Sequence, residues 1–351
     1  MEIKTTKKLF RKEQFKIVDY RVKDLYNSVS NLDTLNRKYK NITLQLDGGG
    51  ILGIIPALQL YVMESRVNSK KRKKKNFKKI NDFFKTIWGT STGAIISGLI
   101  AIGVPAKEIL ELYVEQGSNI FDTQKGGAIN IFSKATYSRK YIDKLLDTYF
   151  GDIKFVNIME NGIDLNIATV DPIQRETIIC NNTNTPNMLV KDAIRASMSA
   201  PMFFGPYSYF GEATKDYPQN NIFFDGATGN YNCTLEKAIC KNLYKDKIKP
   251  EDFYVHSLGC GKLEYKSESR DADIKNIKKF RKIKQILWTL SFAREESANR
   301  QITWAEYRAK DLGINFKRVD FNLPKKLSKI DKTNNINEVL ELVQKEMKES
   351  K

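Results

Sequence analysis

The sequence predicts an α/β protein in which helices cover both faces of a mostly parallel β-sheet. Two observations favour this fold class. Short apolar or alternating segments typical of strands are followed by helical patterns along residues 41–260, and several of these strands run directly into glycines. At 351 residues, with 41% hydrophobic residues, the chain can also bury a substantial core, as one large domain or two smaller ones.

The predicted elements follow in a regular order. Residues 1–40 are polar and basic with weak helical periodicity, which indicates an N-terminal helical extension. The predicted strands are residues 42–46, 86–88, 163–170, 176–180, 222–224 and 253–258. The predicted helices begin near Pro56, Thr92, Pro105, Ser138 and Val190. Helical patterns dominate beyond Asp271, so we expect a main domain over 41–320 and a C-terminal helical tail over 321–351.

Composition limits the partners and sites that the chain can have. It carries 59 Lys and Arg against 41 Asp and Glu, and the formal charge of +18 favours anionic partners such as phospholipid surfaces or nucleic acid. The four cysteines show no metal-site or disulfide-framework spacing and there is a single histidine, so we expect reduced thiols, no metal and no cofactor.

Two further features bear on location. Residues 1–14 are charged throughout and lack the apolar core of a signal peptide. The longest apolar stretch, 94–104, falls far short of the ~20 residues that a membrane span requires. We therefore expect a cytoplasmic protein, with a peripheral position at membranes as the alternative.

A glycine loop follows the first predicted strand. Residues 47–53 read Asp-Gly-Gly-Gly-Ile-Leu-Gly, and consecutive glycines before a helix leave backbone N–H groups unhindered. Such a loop can hold a phosphate or stabilise the oxyanion of an acyl-transfer reaction. It lacks the spacing of a P-loop or a dinucleotide site, but the loop alone leaves both uses open.

A serine lies on a predicted sharp turn between the second strand and its helix. Residues 89–93 read Gly-Thr-Ser-Thr-Gly, and this pattern between a strand and a helix projects the oxygen of the central Ser91 from a strained turn. Beside such a serine, the oxyanion-hole interpretation of the glycine loop becomes the better one.

A serine nucleophile needs a base, and the sequence offers two candidates. His256 falls in the middle of a predicted strand, which is a poor position for a mobile catalytic imidazole. Asp225 ends the strand 222–224 and precedes Gly226, so its carboxylate can project into a cleft at the carboxyl end of the sheet, where open α/β sheets place their sites. We therefore expect a Ser-Asp pair, and burial should raise the pKa of the carboxyl group.

Together these residues resemble the patatin-like phospholipase family. The resemblance rests on the glycine loop 47–53, the serine turn 89–93 and Asp-Gly-Ala at 225–227, and it covers about residues 42–261. It implies a three-layer α/β/α fold for the catalytic domain over 41–320. It further implies a Ser-Asp dyad of Ser91 and Asp225, with an oxyanion hole formed by the N–H groups of three glycines, Gly48, Gly49 and Gly50.

The same resemblance implies hydrolysis of fatty-acyl esters of phospholipids without calcium. One position departs from the family, whose members commonly carry Arg or Lys where this chain has Leu52. The backbone oxyanion hole survives this change, but any contact of a basic side chain with the headgroup is lost. The alternative substrates are neutral glycerolipids or thioesters at the same site.

The basic charge leaves a membrane surface and nucleic acid as partners to compare. The run of lysines over 70–79 and a basic amphipathic pattern over 274–290 could both touch anionic lipid, although an apolar stripe more often faces a core. The basic runs are not interleaved with aromatic residues, which argues against nucleic acid. A catalytically silent protein that binds anionic surfaces is the remaining alternative.

Overall fold

The computed structural model describes residues 22–69, 77–120, 138–201, 203–209, 221–264, 282–329 and 333–349. Most of the predicted extension over 1–40, most of the lysine run over 70–79 and the first part of the basic pattern over 274–290 lie outside the described residues. Among the described helices, none is long and apolar enough to cross a bilayer.

Eight of the described strands form one twisted sheet. The strands are β1 (Asn41–Leu46), β2 (Thr86–Thr90), β3 (Asp164–Asp171), β4 (Glu176–Cys180), β5 (Tyr207–Tyr209), β6 (Asn221–Asp225), β7 (Phe253–Leu258) and, beyond the two-residue β8 (Lys262–Leu263), β9 (Asn315–Val319). Five of them are parallel, in the order β3-β2-β1-β7-β9. The predicted mostly parallel sheet is confirmed.

Antiparallel strands extend the sheet beyond β3. β4 and β6 both run antiparallel to β3, and β5 runs antiparallel to β6. Since β2 and β4 both pair with Ile167 and Ala168, they occupy opposite edges of β3. β4 also pairs with Thr169 and Val170, so β6 must pair with these two residues from the other edge of β3, the one that also pairs with β2.

Helices pack on both faces of this sheet, as expected. The described helices are α1 (Leu32–Lys38), α2 (Ile54–Asn68), α3 (Thr92–Ala101), α4 (Ala106–Ile120), α5 (Lys140–Phe150), α6 (Phe155–Glu160), α7 (Val190–Ser197), α8 (Leu235–Cys240), the long helix Lys282–Leu312 and the last helix Ile336–Glu349. The main core lies between one face and helices that include α2, α3 and α7. A smaller core lies on the other face, under α8 and the long helix.

The strand residues alternate between these two cores. On β1, the side chains of Ile42, Leu44 and Leu46 enter the main core. Val255 of β7 enters the smaller core, together with Ile239 of α8. The smaller core gives the sheet its third layer, so the predicted α/β/α arrangement is confirmed.

The flanking segments pack against the same cores. Leu25 and Leu32 are buried in the main core, and so are Val339 and Val343 of the last helix. The boundaries at residues 40 and 320 nevertheless stay predictions.

Beyond Asp271, where helical patterns dominate, the sequence did not indicate one strand of the main sheet: Asn315–Val319 forms β9, at its edge. Lys317 and Arg318 interrupt its apolar alternation, which conceals the strand signal.

Candidate active site

Ser91 occupies the sharp turn that the sequence predicts. β2 ends at Thr90 and α3 begins at Thr92, so Ser91 is the only residue between the strand and the helix. Its φ of 54° and ψ of −119° place it in a region that L-residues rarely adopt. The Ser91 N–H donates to the Ser197 hydroxyl (2.8 Å), which in turn donates to the Ala168 carbonyl (2.6 Å). The strained turn is therefore held by α7 and β3.

The second glycine of the turn brings it against the glycine loop. A Cβ at Gly93 would lie 2.5 Å from the Leu46 carbonyl oxygen and 2.7 Å from that of Asp47. No side chain fits at this distance, so a glycine is required for α3 to approach the end of β1. The contact places the serine turn and the glycine loop side by side.

The register of β3 explains how Ser91 meets Asp225. Thr90, the last residue of β2, lies opposite Ala168, and Asp225, the last residue of β6, lies opposite the next residue, Thr169. β2 and β6 thus approach each other end to end along one edge of β3. Asp225 thus lies just beyond the carboxyl end of β2, but it arrives there on an antiparallel strand, which the sequence did not indicate.

The Asp225 carboxylate is buried and lies near Ser91. Only 2% of the residue is exposed. It accepts a hydrogen bond from the Ala227 N–H (2.9 Å). Burial raises the pKa of Asp225 from 3.8 to about 6, and the Ala227 N–H and the nearby Ser91 hydroxyl oppose this shift. Asp225 is therefore ionised at neutral pH and has enough basicity to accept a proton from a hydroxyl group.

His256 lies in the core, away from this pair. It is fully buried in the middle of β7, opposite Leu44 of β1, and its Nδ1 lies 3.3 Å from the Tyr254 hydroxyl. Burial lowers the pKa of His256 to about 3, so the ring is neutral. Leu44 is level with Ile87 of β2, four residues before Ser91, which places the ring about 13 Å from the serine along the strand direction.

The glycine loop contains two backbone N–H groups that have no hydrogen-bond partner among the described residues. Gly48 packs beside Ser91, but its N–H donates to the Asn232 carbonyl (3.1 Å), so the expectation that Gly48 stabilises an oxyanion is revised. Among the described residues, no hydrogen bond uses the N–H of Gly49 or Gly50. Gly49 precedes and Gly50 begins a short helical turn, Gly50–Gly53, which adds positive potential at its N-terminus.

The side chain at the position that departs from the family pattern is buried. Leu52 is 2% exposed and packs in the main core. Because this chain has leucine where family members commonly carry Arg or Lys, this position places no charge beside the glycine loop.

Two residues to which the sequence assigned no role also shape the site. Ser197 holds the Ser91 backbone, and Asn232 binds Gly48 and places its side-chain oxygen against it. Neither residue belongs to the three motifs, although Asn232 follows the Asp-Gly-Ala motif by only five residues, and serine or asparagine is common enough to give no signal on its own. In the described residues no group of His, Cys, Asp and Glu side chains is arranged to hold a metal ion.

Comparisons with known proteins identify the family of this chain. The family model described as patatin-like phospholipase matches residues 44–239, which include Ser91, Asp225 and the glycine loop. Patatin-like protein 2 of rice (Oryza sativa subsp. indica) is 27% identical over 267 residues, covering 67% of this chain and 65% of that protein. Patatin of Solanum tuberosum is 26% identical over 240 residues, covering 62% of this chain and 60% of that protein.

The chain thus spans a little under two thirds of the length of these curated relatives. A crystal structure of VipD from Legionella pneumophila aligns with 88% of this chain and 67% of its own, at 12% identity and a TM-score of 0.40. Members of the matched family are lipid acyl hydrolases that act on ester bonds. Because the family model matches more than half of the sequence, the chain belongs to the patatin-like phospholipase family.

Proposed function

We propose that this protein hydrolyses fatty-acyl esters of phospholipids, with Ser91 as nucleophile and Asp225 as base. The observation that carries the proposal is the meeting of Ser91 with the buried Asp225 where β2 and β6 end on the same edge of β3, beside a glycine loop in which the N–H groups of Gly49 and Gly50 have no partner among the described residues. Family membership supports the class of reaction.

In the first half-reaction, the Ser91 oxygen attacks the carbonyl carbon of the ester while its proton moves to Asp225. The carbonyl oxygen becomes an oxyanion, which the N–H groups of Gly49 and Gly50 stabilise. The loss of one such donor typically costs about 3 kcal/mol in the transition state. When the intermediate collapses, the ester C–O bond breaks and the leaving alkoxide takes the proton from Asp225.

In the second half-reaction, water hydrolyses the acyl-enzyme. Asp225 accepts a proton from the water as its oxygen attacks the acyl carbon, and it returns the proton to the Ser91 oxygen when the fatty acid leaves. No step needs a metal ion, so we propose that the reaction is independent of calcium.

The experiment is incubation of the purified protein with mixed lipids, followed by mass spectrometry of the products. We expect free fatty acids and lysophospholipids, in the presence of a calcium chelator, from the natural protein but not from Ser91→Ala. If fatty acids are released only from neutral glycerolipids or thioesters, those compounds are the substrates instead of phospholipids. Equal release by natural protein and Ser91→Ala would contradict the proposal.

We further propose that the enzyme works at anionic membrane surfaces, because its net charge of +18 attracts them. Hydrolysis of vesicles that contain anionic lipid should exceed that of zwitterionic vesicles and should fall as salt is added. A soluble short-chain ester serves as the control, since its hydrolysis should respond little to salt. Rates on both vesicle types that are equal and independent of salt would count against this contact.

A further inference from the structure

The residue that begins the glycine loop is held by an arginine from outside the segment that the family model matches. We propose that Arg318 is a positioning residue that fixes Asp47 and thereby holds the N–H groups of Gly49 and Gly50 towards Ser91. This inference rests on the proposed function, because it assigns the oxyanion donors to those glycines. Arg318 lies on β9, well beyond the matched residues 44–239.

The contact between the two side chains is bidentate. Arg318 Nη1 donates to Asp47 Oδ1 (3.0 Å), and Nη2 donates to Oδ2 (2.6 Å). The side chains are 9% and 4% exposed, so water screens the pair little. Two parallel hydrogen bonds fix the orientation of the carboxylate as well as its position.

A polar row across the sheet supports this contact. Arg318 on β9 pairs in register with Ser257 on β7, which pairs with Gln45 on β1. Arg318 Nη1 also donates to the Ser257 hydroxyl (2.9 Å), which hydrogen-bonds to the Gln45 side chain. The Gln45 amide donates to Asp47 Oδ1 (2.9 Å), so the row closes on the same carboxylate.

A second carboxylate holds the arginine from the other side. Arg318 Nη2 donates to Asp320 Oδ2 (2.8 Å), and Asp320 Oδ1 accepts from the N–H groups of Gly261 (2.7 Å) and Phe321 (3.0 Å). The guanidinium group is therefore fixed between Asp47 and Asp320. Both carboxylates raise the pKa of Arg318, which stays charged.

The backbone of Asp47 transmits this constraint to the catalytic elements. Its N–H donates to the Leu258 carbonyl (3.1 Å), its carbonyl accepts from the Cys260 thiol (3.3 Å), and the close contact of Gly93 rests on the same carbonyl. Asp47 is itself the first residue of the glycine loop. A shift of Asp47 would thus move both the loop and the turn that carries Ser91.

Stability alone gives a weak reason for this arrangement. Removing two charges from water costs free energy that their attraction repays only with good geometry, and buried ion pairs are often replaceable by apolar residues. Precise positioning of the donors gives a stronger reason, because misplacement by about 1 Å can cost about 100-fold in rate.

The test compares Arg318→Lys, Arg318→Met and Asp47→Asn with the natural protein on a soluble chromogenic ester. Rates are expressed per active site, counted by titration with a fluorophosphonate, and circular dichroism reports folding. Lys317→Met is the matched control, since it removes an exposed charge from the neighbouring position on the same strand.

We expect kcat to fall about 10- to 100-fold in Arg318→Met and Asp47→Asn, with KM changed less than about threefold. The kcat of Arg318→Lys should lie between that of these two variants and that of the natural protein, because an ammonium group cannot bind both carboxylate oxygens in the fixed geometry of a guanidinium. Lys317→Met should keep the natural kcat.

Three results would overturn the inference: kcat per titrated site unchanged in all variants, a rise in KM alone, or loss of folding in both Arg318→Lys and Asp47→Asn. The last would show that the pair serves the fold as a whole. Failure of the proposed function is read separately, from natural protein that shows no hydrolysis or from Ser91→Ala that retains it.

Discussion

At the scale of single residues, the burial of Asp225 determines when the proposed dyad can work. Its carboxylate is almost completely enclosed, and burial raises the pKa to about 6. His256, the other candidate base, has its pKa lowered to about 3 and faces aromatic side chains in the core. The two environments favour the carboxylate as the group that accepts the proton.

Hydrolysis should depend on pH through this group. We expect kcat/KM on a soluble ester to rise with pH through about 6 and to level off above it, because Asp225 accepts a proton only when it is ionised. A pH–rate profile of the natural protein, corrected for spontaneous hydrolysis, measures this. A profile that is flat across this region would contradict a carboxyl base with a raised pKa.

Asp225 should also reduce the stability of the protein at neutral pH. Its pKa is higher in the folded than in the unfolded chain, so the free energy of unfolding that it contributes falls as the pH rises from 3.8 to about 6. Asp225→Asn should therefore raise the free energy of unfolding at about pH 8, by up to about 3 kcal/mol, and add little at about pH 4. Denaturant unfolding at the two pH values tests this. An equal increase in the free energy of unfolding at both pH values would show that ionisation of Asp225 is not the cause.

At the scale of elements, the strand–loop–helix units were predictable because their signals are local. Apolar alternation before Asp47 and the glycines on either side of Ser91 give both the elements and the turn. Whether β6 runs parallel or antiparallel to β3 was not predictable, since a three-residue apolar run carries no information about the direction of the strand. The revised role of Gly48 depends on the Asn232 carbonyl, which no local pattern connects to the loop.

The close packing of the glycine loop on β7 can be tested with a pair of substitutions. A Cβ at Gly49 would collide with the Cβ of Cys260. Gly49→Ala should therefore lower kcat about 100-fold by displacing a proposed oxyanion donor. Cys260→Gly should restore part of this loss in the double variant, because it removes the colliding atoms.

Steady-state kinetics of both single variants and the double variant give the coupling between the two sites. Gly162→Ala is the control for backbone strain without a collision, since the φ of 74° disfavours a Cβ there although no atom lies within 4 Å of it. Additive losses in the double variant would mean that the Cys260 contact does not position the loop.

At the scale of the whole molecule, the site depends on parts of the chain that no motif marks. The family resemblance gave the α/β/α layers and the pair of Ser91 and Asp225, because both rest on short motifs in order. β9 and Arg318 could not be found in the same way: the strand is short and charged, and its pairing with β7 is a long-range contact. β9 follows the long helix along the chain. Its place beside β7 in the sheet brings Arg318 to Asp47.

The central claim is that Ser91 is activated by Asp225 without an imidazole, and the rate of covalent labelling by a fluorophosphonate tests it most directly. Peptide mass spectrometry should place the adduct on Ser91. Asp225→Asn should slow labelling about 100-fold or more, while folded His256→Ala should label within a few-fold of the natural rate. An adduct on another residue, or labelling that needs His256 and is indifferent to Asp225, would contradict the account.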